Sequence, residues 1–244
     1  MKAISLAIAA SAAAVIASSA SASNWQLTYG GYGLSKSVKI AYDNNKSWDG
    51  ASASSFANIT AGQHLFSGLG NNFKTYCVQL FEGLPAVNSS AEWCPADLVD
   101  VPDAPPAPGP MGAMVATLVQ DFYARFHAAV QNSNDNTQAA AFQVVLWELT
   151  HENFTAADAA SALGQIDLGL GAFQLSAASA DVLTAANSMI AELGDGGFKS
   201  LGGNLFGLTN PDFQDHLVVV PIPAPALLAG LGLIGVAALR RRSK

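Results

Sequence analysis

The sequence predicts an α+β fold in which a mainly antiparallel β part precedes a helical part. Three observations carry this expectation. The first half has runs that alternate polar with β-branched or aromatic side chains. Five prolines fall within residues 97–110, which rules out a regular element there. Beyond them the apolar residues recur at helical spacing.

Taken in order, Gln26–Tyr29 and Ser37–Tyr42 read as strands, with Gly30, Gly31 and Gly33 punctuating the gap. Phe73–Leu80 (FKTYCVQL) is the most strand-like run, and period two puts Phe73, Thr75, Cys77 and Gln79 on one face. Asp97–Pro110 reads as an exposed, semi-rigid connector. Met111, Met114, Val115, Leu118, Phe122, Phe126 and Val130 then form one stripe of a helix, with Gln120, Asp121 and Arg125 on its polar face. After a polar turn at 132–136, a second helix is expected from Thr137 to Glu152. It is apolar nearly all round, as a central buried helix would be. Asp167–Leu175 reads as a strand and Ser179–Leu193 as a third helix stopped by Gly194. Leu217–Val220 reads as a last short strand.

Both ends look like targeting segments. Residues 1–22 have the order of a signal peptide: Lys2, an apolar stretch from Ala3 to Ile16, and an Ala20-Ser21-Ala22 cleavage site. Residues 220–244 open on Val220, Pro221, Pro223 and Pro225, continue through an apolar run from Ala226 to Leu239, and close on Arg240, Arg241 and Arg242. The run falls short of the ~20 residues of a comfortable membrane span. The arginines favour a cytoplasmic side for the C-terminus. This order resembles the sorting signal of PEP-CTERM proteins in its VPLPA-like variant, with Ile222 where Glu is usual. The resemblance implies transient anchoring in the membrane, an exosortase-like membrane processing enzyme as partner, and delivery to the cell surface or extracellular matrix.

Residues 23–219 remain as one ectodomain with enough chain for a substantial core. Five of the eleven Lys and Arg residues lie in the two end segments, so the ectodomain sets six bases against eighteen acids, a net charge of −12. Such a surface repels nucleic acid and anionic lipid and attracts amine-bearing partners only in a salt-dependent way.

Cys77 and Cys94 both fall in the exported part. In an oxidising compartment the default expectation is a Cys77–Cys94 disulfide, a crosslink that typically contributes ~3 kcal/mol. A second expectation comes from two segments taken together, Thr75-Tyr76-Cys77-Val78 and Gln143-Val144-Val145-Leu146-Trp147. The pair resembles the thioester domains of bacterial surface proteins, with Val145 where Ala is usual and Leu146 where Ile is usual. The resemblance implies that the Cys77 sulfur bonds to the Gln143 side-chain carbonyl with loss of ammonia, Tyr76 and Trp147 being the accompanying aromatics. It also implies covalent attachment to an amine-bearing surface or matrix polymer. Gln214-Asp215-His216-Leu217, leading into the Pro motif, extends the likeness to an arrangement recurring in PEP-CTERM proteins.

One sulfur cannot serve both crosslinks, so thioester, disulfide and free thiol stand as alternatives. With a disulfide, the chain would be a structural matrix protein binding polysaccharide or protein non-covalently. His151, eight residues after Gln143, reads either as a base for acyl transfer or as a helix-end residue. Glu148 and Glu152 read as a solvated edge. The histidines lack metal-ligand spacing, no Lys-Ser/Thr follows a Gly-rich turn, and no Gly-x-Ser-x-Gly elbow or catalytic triad is evident. No metal, cofactor or enzymatic activity is therefore expected.

Overall fold

The computed structural model describes residues 24–42, 56–104 and 108–220. The segments read as a signal peptide and, apart from Val220, as a sorting signal lie outside the described residues. Among the described residues no helix is long and apolar enough to cross a membrane.

The elements run β1 (Trp25–Tyr42), β2 (Ala57–Gly68), β3 (Asn71–Cys77), β4 (Ser90–Ala96), α1 (Gly112–Asn132), α2 (Asn136–His151), α3 (Ala159–Ala162), β5 (Phe173–Leu175), α4 (Ala180–Ala191), β6 (Leu205–Thr209) and β7 (His216–Val219). Helices and a mainly antiparallel sheet together make the fold α+β. The strands lie in the order β2-β3-β7-β6-β4-β1-β5, and β2 also pairs with β1. That extra pairing closes β1, β2, β3, β7, β6 and β4 into an antiparallel barrel. β5 adds to the far end of β1.

The two expected N-terminal strands are one. The glycines between them make bulges rather than a turn: the β1–β2 register shifts between Tyr29 and Gly31 and again between Tyr32 and Ser35, and Gly31 adopts φ 95°. A bent strand of 18 residues can pair with β4 at its start, β5 at its end and β2 along most of its length.

Period two then sorts the side chains. Leu27, Tyr29, Phe66, Phe73, Trp93, Leu208 and Val218 form one buried cluster. Every strand of the barrel contributes to it, so this cluster is the lumen. The other buried cluster joins the outer side of the sheet, through residues such as Val38, Tyr76, Val78 and Leu217, to the helices. At its centre is α2, packed against β1, β2 and β3 and against α1 and α4. All its residues from Ala139 to His151 are buried. Its first turn is capped by the Asp135 carboxylate, which accepts from the Thr137 and Gln138 amides at 2.7 and 3.4 Å.

One expected polar stripe is not at the surface. Asp121 on α1 is fully buried and accepts from Arg125 at 2.8 Å and from the Gly194 and Lys199 amides at 2.8 and 2.7 Å. The sequence pattern marks Asp121 as polar, but here the pair anchors the loop that follows α4.

Candidate functional site

The geometry around Cys77 follows from strand register. Tyr76 and Cys77 of β3 pair with Leu217 and His216 of β7, and the Val78 amide donates to the Asp215 carbonyl at 2.9 Å. Val78 is thus a hydrogen-bonded ladder position, and Cys77, its neighbour, is a non-hydrogen-bonded one. Its N–H and C=O turn away from β7, toward β2. The β2–β3 ladder, however, ends at His64 and Thr75. At Gly62, φ is 148° and a Cβ would collide with the Leu34 carbonyl and Ser35, so only glycine fits where β2 presses on β1 and leaves β3.

Gln143 of α2 takes the vacated ladder position. Its Oε1 accepts from the Cys77 amide at 3.0 Å and its Nε2 donates to the Cys77 carbonyl at 2.8 Å. The primary amide therefore substitutes for a strand backbone, and neither residue has any exposed surface. A glutamine in an apolar helix interior is satisfied in this way at both ends, which removes the ~1–3 kcal/mol cost of each unpaired buried polar group.

The Cys77 thiol donates to the Gln79 carbonyl, and its sulfur accepts from the Gln79 amide at 3.3 Å. Burial pushes the thiol up to about 12, against the opposing pull of the Gln79 amide and the Trp147 indole. The Trp147 Nε1–H, one helical turn beyond Gln143, lies near the sulfur and completes no hydrogen bond of its own. Gln79 is held in turn: its Oε1 accepts from the Asp215 amide at 2.7 Å, and its Nε2 donates to the Asp103 carbonyl at 3.2 Å.

The cysteine side chain faces the lumen with Thr75 and His216. Thr75 Oγ1 and His216 Nδ1 are 3.1 Å apart, the His64 and His216 rings are 4.8 Å apart, and His64 Nδ1 meets the Tyr29 hydroxyl at 3.2 Å. Burial lowers His64 to about 3 and, with His64 beside it, drives His216 well below the usual histidine value. Both imidazoles are neutral at physiological pH. This network is not evident in the sequence. Period two already puts Thr75 on the face of Cys77, but nothing local shows that His216 is its cross-strand neighbour.

The expected Cys77–Cys94 disulfide is corrected. Both thiols are free, Cys77 buried and Cys94 exposed. β3 and β4 are three strands apart whichever way the barrel is followed. Opposite walls of a six-stranded barrel with ~4.8 Å between strands lie on the order of 10 Å apart, beyond the Cα separation of at most ~7 Å for a disulfide. The Phe66, Trp93 and His216 rings pack in the lumen between these walls. Cys94 instead donates to Asn24 Oδ1 at 2.8 Å.

Of the remaining expected site residues, Tyr76 lies on the outer side of β3. Its ring packs on Phe142 at 4.4 Å and its hydroxyl accepts from Gln63 Nε2 at 3.3 Å. Trp147 is buried beside the pair. His151 is not at it: eight residues along a helix is ~12 Å. Its ring is buried near Tyr42 and Phe173, with Nδ1 3.1 Å from the Trp147 carbonyl. The solvated edge expected at Glu148 and Glu152 is also corrected. Both are buried because residues 167–172 cover them, the Asp167 and Ala172 amides donating at 2.9 Å to Glu148 and Glu152 respectively. Burial, reinforced by Glu152, raises Glu148 well above the usual carboxylate value. Val220 is half-buried, its amide donating to the Asn204 carbonyl at 2.9 Å. Pro221, Pro223, Pro225, Arg240, Arg241 and Arg242 lie outside the described residues.

Fold and site thus define an α+β domain, a six-stranded antiparallel barrel flanked by helices, with a water-excluded cysteine–glutamine pair where barrel and central helix meet. No family model matches this chain, and no curated protein or solved structure matches it either.

Proposed function

We propose that this chain is an exported, non-enzymatic cell-surface or extracellular-matrix protein, sorted by an exosortase-like system, whose ectodomain attaches covalently to amine-bearing polymers through a Cys77–Gln143 thioester. The observation that carries this reading is the docking of the Gln143 amide onto the backbone of Cys77 itself, at 3.0 and 2.8 Å. In the reaction the sulfur attacks Gln143 Cδ, the carbonyl electrons move to Oε1, and Nε2 leaves as ammonia with the thiol proton. The Cys77 N–H already donates to Oε1, where negative charge develops, as an oxyanion donor does. Burial keeps water from the product. An incoming amine would then break the C–S bond, form an amide at Gln143 and release the thiol.

Incubation of the full-length exported protein with labelled methylamine tests this directly. Label is expected on Gln143, and it is lost in Cys77→Ala and in Gln143→Ala. Equal uptake by the variants contradicts the reading. For the sorting half, deletion of residues 220–244 is expected to shift the protein from the cell surface to the medium.

A second reading rests on the same two hydrogen bonds. Here Gln143 serves only as a ladder surrogate that ties α2 to the barrel, and the domain binds polysaccharide or protein non-covalently. In that case Gln143→Ala lowers stability and methylamine never labels the wild type.

A further inference from the structure

Thioester closure needs a group that takes the proton from a thiol in a site without water. We infer that His216 is that group, accepting the Cys77 proton as the sulfur attacks and passing it to the departing ammonia. This rests on the thioester reading and adds a residue that the cysteine–glutamine pair does not itself supply.

Four observations converge on His216. It is the direct cross-strand partner of Cys77, at a non-hydrogen-bonded position, where facing side chains approach most closely, with Cα atoms ~4.5 Å apart. It is fully buried, so the pair is enclosed together. Its Nδ1 is engaged by Thr75 Oγ1 at 3.1 Å, while the Thr75 hydroxyl also reaches the His64 carbonyl at 3.4 Å. When that hydroxyl donates to the carbonyl, it accepts from Nδ1–H and leaves Nε2 a bare acceptor. Finally, Nε2 has no hydrogen-bond partner among the described residues, although leaving such an atom unpaired costs ~1–3 kcal/mol. The imidazole is neutral, as a base must be; because the same burial weakens it as a base and the thiol as an acid, the proton moves as the S–C bond forms and not before it.

The competing acceptors are otherwise engaged. Asp215, next in sequence, has its carboxylate bound by the Asp103 and Asn210 amides at 2.7 and 2.9 Å. His64 pairs across the sheet with Thr75 and not with Cys77, and its Nδ1 is on Tyr29.

The step balances without a co-reactant. The S–H proton goes to Nε2, the S–C bond forms, Oε1 takes the carbonyl electron pair under the Cys77 N–H, and collapse expels Gln143 Nε2. That nitrogen leaves as ammonia carrying the proton from His216, whose imidazole is restored neutral.

The test refolds the full-length protein from denaturant and follows the ammonia-deficient Cys77–Gln143 crosslink by mass spectrometry over time. His216→Gln keeps a polar side chain but cannot act as a base. It is expected to close about 100-fold more slowly than wild type, with unchanged helix content and with Cys77 still protected from alkylation. Closure at the wild-type rate overturns the inference. Should His216→Gln fail to protect Cys77, Thr75→Val decides: it retains the imidazole, frees its Nδ1 and is expected to slow closure several-fold, and an unchanged rate overturns the inference. If wild type never loses ammonia, the thioester reading falls and His216 has no proton to move. If wild type and His216→Gln lose it equally fast, the thioester stands and His216 is excluded.

Discussion

Cys77 and Cys94 occupy the same barrel and the same kind of strand, yet their surroundings share almost nothing. Cys77 has its backbone bridged by Gln143, its sulfur bracketed by Gln79, and no exposed surface. Cys94 sits on the opposite wall, exposed, beside Asn24. The difference arises in the backbone. β4 continues its ladder past Cys94, through Cys94–Thr209, whereas β3 loses β2 after Thr75 and so presents Cys77 with two unpaired backbone groups. A buried strand with a gap in its ladder needs a surrogate partner, and a helix glutamine is a good one because its amide repeats the donor–acceptor pair of a peptide. The bridging and the burial of Cys77 therefore trace to one irregularity, the departure of β2 at Gly62.

Alkylation of the native protein separates the two most widely. Cys94 is expected to react at the rate of an exposed thiol. Cys77, fully buried and with its sulfur held in the proposed thioester, should stay unlabelled over the same period, and similar rates for both would erase the contrast. Next in size is Gln143→Ala, which strands the Cys77 N–H and C=O. Denaturant unfolding should show a loss of ~2–4 kcal/mol, whereas Asn24→Ala beside Cys94 should fall within ~0.5 kcal/mol.

A pH series gives a third contrast, in Gln143→Ala, where the sulfur stays a thiol. A thiol raised to about 12 by burial binds its proton more tightly folded than unfolded. Its stabilising contribution is complete below the unfolded value of ~8.5 and is lost as pH rises toward 12. Adding Cys77→Ala should flatten that alkaline loss. The smallest expected effect is Cys94→Ser in the wild type, within ~0.5 kcal/mol and without influence on methylamine uptake. A large loss there would bring back a crosslink at Cys94.

Much of the scaffold was legible in residue order because its signals are local. FKTYCVQL announces β3 and the all-apolar TQAAAFQVVLWELTHE announces α2, and both lie within a residue or a few of where they were expected. β2 and β4 were not legible. ANITAGQHLFSG carries two glycines and no clean alternation, and SAEWCPA ends near a proline, so only their neighbours make them strands. Barrel closure depends on bulges in β1 whose glycines look like a turn. Cys77 and Gln143 were both nominated through a resemblance, but how they meet depends on β2 bending away, which no local pattern records. Glu148 and Glu152 show the reverse error: an i, i+4 acidic pair looks solvated until a distant loop is laid over it.

Whether the Cys77–Gln143 bond exists is read most plainly by peptide mass spectrometry of the native protein, digested at mildly acidic pH without reductant. The Cys77 and Gln143 peptides are expected to appear joined, lighter than their sum by one ammonia, and methylamine is expected to separate them. Two separate peptides, with Gln143 intact and Cys77 alkylated only after unfolding, would contradict the thioester reading.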